Sequence, residues 1–212
     1  SGDTSACVMS RQCGTKVFPV DIGMVVDTKV PTDLKIAYGT ANMTKGPAMS
    51  REQAVQALEA GIEMVRRLKE EGYELLATGE MGIGNTTTSS AVAAVLLDRP
   101  AEEMTGRGAG LSGDGFTRKI NAIKKAIEVN APDPEDAIDV LAKVGGFDIA
   151  GMAGMFLGGA ALGVPVVIDG FISCVAALIA QRICPTAGEY MIASHVSKEP
   201  AARLILEALG KE

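Results

Sequence analysis

Residues 75–92 read LLATGEMGIGNTTTSSAV and pass from apolar residues through glycines into small ones. We predict a strand over residues 75–78, a turn over residues 79–85 and a helix from Thr86 onward. A strand, a turn and a helix follow one another again from 164 (VPVVIDGF) and from 189 (EYMIASH). This alternation predicts an α/β fold with a mostly parallel, Rossmann-like sheet and helices on both faces. We find no repeat or linker, and therefore predict one domain over residues 1–212.

The chain before these units is predicted to begin with a helix closed by Gly14. A short strand over residues 16–23 and a long irregular loop over residues 27–49 follow. In a parallel sheet such a helix connects an earlier strand to the next one, and this sequence has no strand before the helix. We therefore expect the domain to be incomplete.

Three further helices are predicted from capping and periodicity. Ser50 is the expected N-cap of the first, with Gln53 in the position that a capping box needs. The others cover residues 116–130 and 133–144. In the 116–130 helix we expect three isoleucines inside and three lysines outside: Ile120, Ile123, Ile127, Lys119, Lys124 and Lys125.

Residues 149–168, IAGMAGMFLGGAALGVPVVI, contain no charge and are long enough to span a membrane. Five glycines and Pro165 interrupt the segment. We therefore predict a buried helix, a turn at Leu162 and Gly163, and a strand, rather than a membrane span.

Composition excludes several classes of function. The net charge is −6 and the basic residues are dispersed, so we expect no nucleic-acid partner. The N-terminus shows no secretory signal and we predict a cytoplasmic protein. Four cysteines without a Cys-x-x-Cys pair, and a single histidine, favour neither a zinc site nor disulfides. We expect the cysteines to be reduced and mostly buried.

The turn after residue 78 has the properties of an anion site. Glycines expose backbone N–H groups, the start of a helix carries partial positive charge, and nearby side chains add donors. We predict phosphate contacts from the backbone N–H groups of the 79–85 turn and from the side chains of Asn85, Thr86 and Thr87. The spacing matches neither the G-x-x-x-x-G-K-[ST] nor the G-x-G-x-x-G fingerprint. Glu80 is placed to accept a ribose hydroxyl or stabilise a cationic ring, or alternatively caps the helix.

Other candidate residues lie beside glycines at predicted element ends. The second glycine-rich loop, residues 105–115, offers Gly108 and is followed by Lys119, although a plain turn before a solvated helix explains it equally well. Asp169 follows a strand, where active-site acids of α/β folds lie. Asp148 has the alternative role of a helix cap. His195 is as consistent with a structural role as with a catalytic one, and the chain has no G-x-S-x-G nucleophile motif.

Four motifs in order resemble the nicotinate-nucleotide–dimethylbenzimidazole phosphoribosyltransferase family of cobalamin lower-ligand synthesis. They are GEMGIGNTTTSSAV at 79–92, DVLAKVGGFDIAGMAGMFLGGA at 139–160, VPVVIDGFISCVAAL at 164–178 and SHVSKEPAARLILEALG at 194–210. The resemblance implies transfer of ribose 5-phosphate from nicotinate mononucleotide to a benzimidazole-type base such as 5,6-dimethylbenzimidazole. It implies no metal or organic cofactor, and a homodimer.

The resemblance also implies roles for individual residues. Glu80 corresponds to the acidic residue near the reacting groups, and Gly170 and Ser197 lie in motifs that line the nucleotide. The phosphate-contacting set that it implies consists of Gly82, Gly84, Asn85, Thr86, Gly108 and Lys119.

This sequence departs from the family pattern in the general base, which in the family is the glutamate of a Leu-Gly-Glu-Gly segment. Residues 1–212 contain no such segment, and Glu212 is not expected to replace that glutamate. We therefore predict a nucleotide-binding core whose own turnover is in doubt. The alternatives are a catalytically silent nucleotide-binding module, one subunit of a split enzyme, and another small-molecule phosphate enzyme on this fold.

Overall fold

The computed structural model describes residue 2, residues 4–108 and residues 110–211. The strands are β1 (Leu76–Ala77), β2 (Val166–Ile168) and β3 (Met191–Ala193), and a 3-10 helix (Pro185–Tyr190) precedes β3. The helices are α1 (Ser5–Cys13), α2 (Arg51–Glu70), α3 (Asn85–Leu96), α4 (Ala101–Met104), α5 (Gly113–Asn130), α6 (Ala137–Val144), α7 (Phe147–Leu162), α8 (Gly170–Ile183) and α9 (Ala201–Ala208).

The three strands form a parallel sheet in the order β1-β2-β3. Leu76 pairs with Val166, and Val167 pairs with both Ala77 and Ile192. Helices α3 to α7 connect β1 to β2, and α8 connects β2 to β3. The α/β class and the parallel sheet are therefore confirmed.

The helices that connect the strands lie on one face of this sheet. Leu76, Val166 and Met191 point into the core, and α7 and α8 both contact β2. On the opposite face, Ile192 is 46% exposed, and the predicted second helix layer does not occur in the described residues. Since parallel crossovers are right-handed, a strand order that follows chain order places all connecting helices on the same side.

Glycines bring α2 and α7 into backbone contact. A Cβ built on Gly61 would lie 2.7 Å from the Met155 nitrogen, and one on Gly158 would lie 2.9 Å from the Ile62 Cα. Helix axes approach this closely only where the side chain is absent. Helix α2 begins with the predicted capping box of Ser50 and Gln53, which is confirmed.

Helix α8 forms the centre of the core. Its residues 171–180 are all buried, and it contacts α3, α6, α7 and α9. A helix that is apolar on every side is stable in water only when other elements surround it. The uncharged segment before it is a helix, a turn with Gly163 at a φ of +69°, and β2, as predicted.

The predicted strand over residues 16–23 is wrong. No helix or strand occurs in residues 14–49. Pro19 cannot donate to a strand ladder. The buried Asp21 carboxylate instead closes a loop by accepting bonds from the Met24 N–H (2.8 Å), Thr28 Oγ1 (3.0 Å) and Lys35 Nζ (3.2 Å). Satisfying this buried charge locally favours the loop.

The expectation for the cysteines is only partly met. All four are free, but Cys13 is exposed and only Cys174 is buried. Within the described residues, no helix is both long and apolar enough to cross a bilayer.

Candidate active site

Because the three strands are parallel, the residues that follow them meet at one edge of the sheet. Glu80 follows β1, Asp169 follows β2 and His195 follows β3. Ligands of open α/β sheets bind at this edge, outside the carboxyl ends of the strands. The fold thus collects three predicted side chains that lie far apart in the sequence.

The Glu80 side chain folds back onto its own turn. Its Oε2 accepts a bond from the Gly82 N–H at 2.7 Å and another from Asn85 Nδ2. Asn85 Nδ2 also donates to Asp148 Oδ2 at 2.8 Å. The N-cap of α3 is Gly84, with no side-chain cap, so Glu80 and Asp148 shape the turn instead of capping helices. A side chain at residue 82 would collide with Asn85 and Asp148, which explains the glycine there.

The start of α3 is the predicted anion site. Gly84 has a φ of +80°, a conformation that glycine adopts without strain, and it turns the chain directly into the helix. The side chain of Asn85 is buried behind this turn, while Thr86 and Thr87 are half-buried. The first N–H groups of a helix lack intrahelical acceptors and carry partial positive charge, so an anion is stabilised here.

Lys119 reaches this helix start from α5. The expectation that Lys119 lies outside its helix is wrong, since the residue is only 5% exposed. Its Nζ donates to Thr86 Oγ1 at 3.0 Å and to the Gly106 carbonyl at 3.0 Å. Burial lowers the pKa of Lys119, and the nearby Glu199 carboxylate opposes that shift. One of three ammonium protons is left for a ligand.

Because Gly108 has no side chain, it leaves room for the Thr86 and Lys119 side chains. Its φ is +54°, and a Cβ there would lie 3.0 Å from Thr86 Oγ1 and 3.7 Å from Lys119 Nζ. Its N–H donates to Glu199 Oε1 at 3.1 Å. Gly108 therefore allows close packing of Thr86 and Lys119, while its own N–H is directed to Glu199.

Comparison with known proteins identifies the family. A family model described as phosphoribosyltransferase matches residues 1–212. The chain belongs to this phosphoribosyltransferase family. It is 51% identical over 213 residues to nicotinate-nucleotide–dimethylbenzimidazole phosphoribosyltransferase of Acetivibrio thermocellus, covering 100% of this chain and 61% of that protein. The enzyme of the same name from Ruminiclostridium cellulolyticum is 53% identical over 210 residues, covering 98% of this chain and 60% of that protein.

Solved structures give the same family. A crystal structure of CobT from Thermus thermophilus superposes with a TM-score of 0.94 at 39% identity, covering 100% of this chain and 64% of that chain. The chain thus spans about 60% of the length of the curated phosphoribosyltransferases that it matches, 61% and 60% for the two named here.

The turn between β2 and α8 of this phosphoribosyltransferase chain is fixed by a directed series of hydrogen bonds. The Asp169 N–H donates to Ser173 Oγ at 3.1 Å, and Ser173 Oγ lies 2.5 Å from Thr78 Oγ1. Thr78 donates to the Val167 carbonyl at 3.0 Å, so the Ser173 proton points to Thr78. Gly170, with a φ of +75°, opens α8 directly after this turn. The buried hydroxyls tie the end of β1 to Asp169.

His195 and Ser197 lie on the segment after β3. The His195 Nδ1 is 2.9 Å from Ser194 Oγ and 3.8 Å from Asp169 Oδ1. Ser194 donates its proton to the Ile168 carbonyl at 2.6 Å, so it accepts from Nδ1–H and leaves Nε2 as the acceptor. Ser197 Oγ accepts the Glu199 N–H at 3.3 Å. The ligand contacts of Asp169, Gly170 and Ser197 stay predictions.

Several contributors were not recognised from the sequence. Glu199, Thr78 and Ser173 carry no local motif that separates them from ordinary surface or core residues, and only their contacts show what they hold. For Asp148 the sequence left a functional role and a helix cap open, because its position beside two glycines fits both. Among the described residues, no group of three or more His, Cys, Asp or Glu side chains is arranged to hold a metal.

Proposed function

We propose that this chain is the nucleotide-binding part of a phosphoribosyltransferase that moves ribose 5-phosphate from nicotinate mononucleotide to a benzimidazole-type base. The products are nicotinate and an α-riboside phosphate, the lower-ligand precursor of cobalamin. Support comes from family membership and from the names of the relatives. No metal or organic cofactor takes part in the proposed reaction.

The observation that carries the proposal is the buried ammonium group at the start of α3. Lys119 Nζ is held by Thr86 and Gly106, each at 3.0 Å, beside helix N–H groups. A desolvated cation and a helix N-terminus together form a strong site for a phosphate monoester. Gly82, Gly84, Asn85 and Gly108 shape this site around the phosphate.

Glu80 has a chemical role in this proposal. The lone pair on the pyridine-type nitrogen of the benzimidazole attacks C1′, the N-glycosidic electrons move onto the nicotinate ring nitrogen, and the base loses its N–H proton. The ribose carbon becomes cationic during this exchange, so a carboxylate at the strand edge stabilises it. Both described bonds of Glu80 use Oε2, which leaves Oε1 for the ribose.

The proton acceptor for the incoming base is not assigned to this chain. Residues 1–212 contain no Leu-Gly-Glu-Gly segment, and Glu212 lies outside the described residues. A silent nucleotide-binding module, or one subunit of a two-chain enzyme, is the second candidate function, because no described residue is assigned as the proton acceptor. A companion chain that carries a Leu-Gly-Glu-Gly segment and restores turnover would establish the two-chain enzyme.

The test has a binding step and a turnover step on the same sample. Calorimetric titration with nicotinate mononucleotide measures binding to the chain, and chromatography then measures nicotinate release with 5,6-dimethylbenzimidazole. We expect saturable binding that Lys119→Met weakens about 10- to 100-fold, because a charge-assisted bond is lost. Lys124→Ala, on the exposed side of α5, is the matched control and keeps the affinity. No binding by the unaltered chain would refute the proposal, while binding without release would select the silent module or split enzyme.

The homodimer and the cytoplasmic location belong to the same proposal. Both rest on the family resemblance and on a biosynthetic reaction with small soluble substrates. Sedimentation velocity over a hundredfold range of concentration tests the homodimer, and a single monomeric species throughout would exclude it.

A further inference from the structure

Two opposite charges hold the turn over residues 106–108 from either side. Lys119 Nζ donates to the Gly106 carbonyl at 3.0 Å, and Glu199 Oε1 accepts the Gly108 N–H at 3.1 Å. Glu199 comes from the segment between β3 and α9, far from this turn in the sequence. The contact therefore links the third strand–helix unit to the anion site beside β1.

The packing around this contact leaves no room for a side chain at residue 106. A Cβ on Gly106 would collide with the Glu199 carboxylate and lie 2.8 Å from Pro200 Cδ. Glu199 Oε2 is buried and has no hydrogen-bond partner in the described residues. A buried carboxylate oxygen without a hydrogen-bond partner costs free energy, and the nearby Lys119 ammonium group offsets part of this cost.

We propose that Glu199 is a positioning residue of the phosphate site, holding the 106–108 turn so that the Gly106 carbonyl and Thr86 orient the Lys119 ammonium group toward the phosphate. This inference rests on the proposed function. The hydrogen bond to Gly108, rather than the negative charge, carries the effect. A loosened turn takes away one of the two acceptors that orient Nζ, and the third proton then loses its fixed direction.

Two conservative variants separate the hydrogen bond from the charge. Glu199→Gln keeps the length of the side chain and an acceptor oxygen but removes the charge. Glu199→Asp keeps the charge but is one methylene too short to reach the Gly108 N–H. Glu207→Gln and Glu207→Asp, at an exposed position of α9, are the matched controls.

The readouts are the affinities for inorganic phosphate and nicotinate mononucleotide, measured by calorimetry, and the exchange rate of the Gly108 amide proton. We expect the Gln variant to bind both within about threefold of the unaltered chain and the Asp variant about tenfold more weakly. Gly108 exchange is expected to accelerate only in the Asp variant. Exchange reports on the turn without any ligand, and a general loss of stability would accelerate amides throughout the chain.

The reverse order of affinities, or equal affinities in the two variants, would overturn the inference. Failure of the unaltered chain to bind phosphate and nucleotide would refute the proposed function and this inference with it. Binding by the unaltered chain with unchanged affinities in both variants would refute only the role of Glu199.

Discussion

Lys119 illustrates how one residue links stability and binding through its proton. Burial lowers its pKa below the ordinary value of 10.5, so the proton leaves the folded chain before it leaves the unfolded one. As pH rises through this window, phosphate affinity falls because the cation is lost, whereas the contribution of Lys119 to stability rises because the unfolded state binds more protons. Phosphate itself is close to its full charge above about pH 7. Calorimetry and denaturant unfolding between pH 7 and 10.5 measure both trends as differences between the unaltered chain and Lys119→Met, since the Cys174 thiol also titrates in this range and with the opposite effect on stability. Lys124→Ala is expected to leave both pH profiles unchanged.

Glu80 gives a second prediction at the residue scale. Glu80→Gln retains an acceptor for Gly82, so we expect nucleotide binding to stay within about tenfold of the unaltered chain. Turnover, in any assembly that releases nicotinate, is expected to fall much further because the carboxylate charge that we propose to lie beside C1′ is lost. Steady-state kinetics with separate kcat and KM values measures this, and an unchanged kcat would remove Glu80 from the mechanism.

At the scale of elements, the contact between α2 and α7 depends on glycine. A Cβ on Gly154 would lie 2.8 Å from the Leu58 carbonyl carbon and 3.0 Å from the Gly61 Cα. We expect Gly154→Ala to lower the free energy of unfolding by about 3 kcal/mol, because two backbones must separate. Gly113→Ala, at a helical position with open space around it, is the control and is expected to change stability by less than about 1 kcal/mol. Urea denaturation measures both, and equal effects would contradict the packing argument.

Cys174 reports on the whole molecule. It lies in the centre of α8, and burial raises the pKa of its thiol to about 11. Only opening of the core exposes it as a reactive thiolate, so alkylation is expected to follow global unfolding. The exposed Cys13 is the internal control and is expected to react at once. Pulse alkylation with mass-spectrometric mapping across a urea gradient tests this, and rapid labelling of Cys174 without denaturant would show that α8 is not part of the stable core.

The local elements were predictable where a short-range rule applies. Examples are the capping box of Ser50 and Gln53, the helix end at Gly14 and the break at Gly163. Each is set by residues within one helical turn of each other. The glycine turn before α3 follows from the same kind of rule, while its binding of an anion stays a prediction. The strand predicted over residues 16–23 failed because Met24, Thr28 and Lys35, further along the same loop, satisfy the Asp21 carboxylate.

The sequence by itself determined the order of β1, β2 and β3, the glycine turn after β1 and the family, because each depends on residues that are close together in the chain. Only the tertiary structure decided which face of the sheet is covered and which way Lys119 points. The amphipathic pattern of α5 placed Lys119 outside, yet that side of the helix faces Thr86 and Gly106. Tertiary packing also places Glu199 at the site. A contact across 91 residues depends on how whole elements pack, and no periodicity along the chain records it.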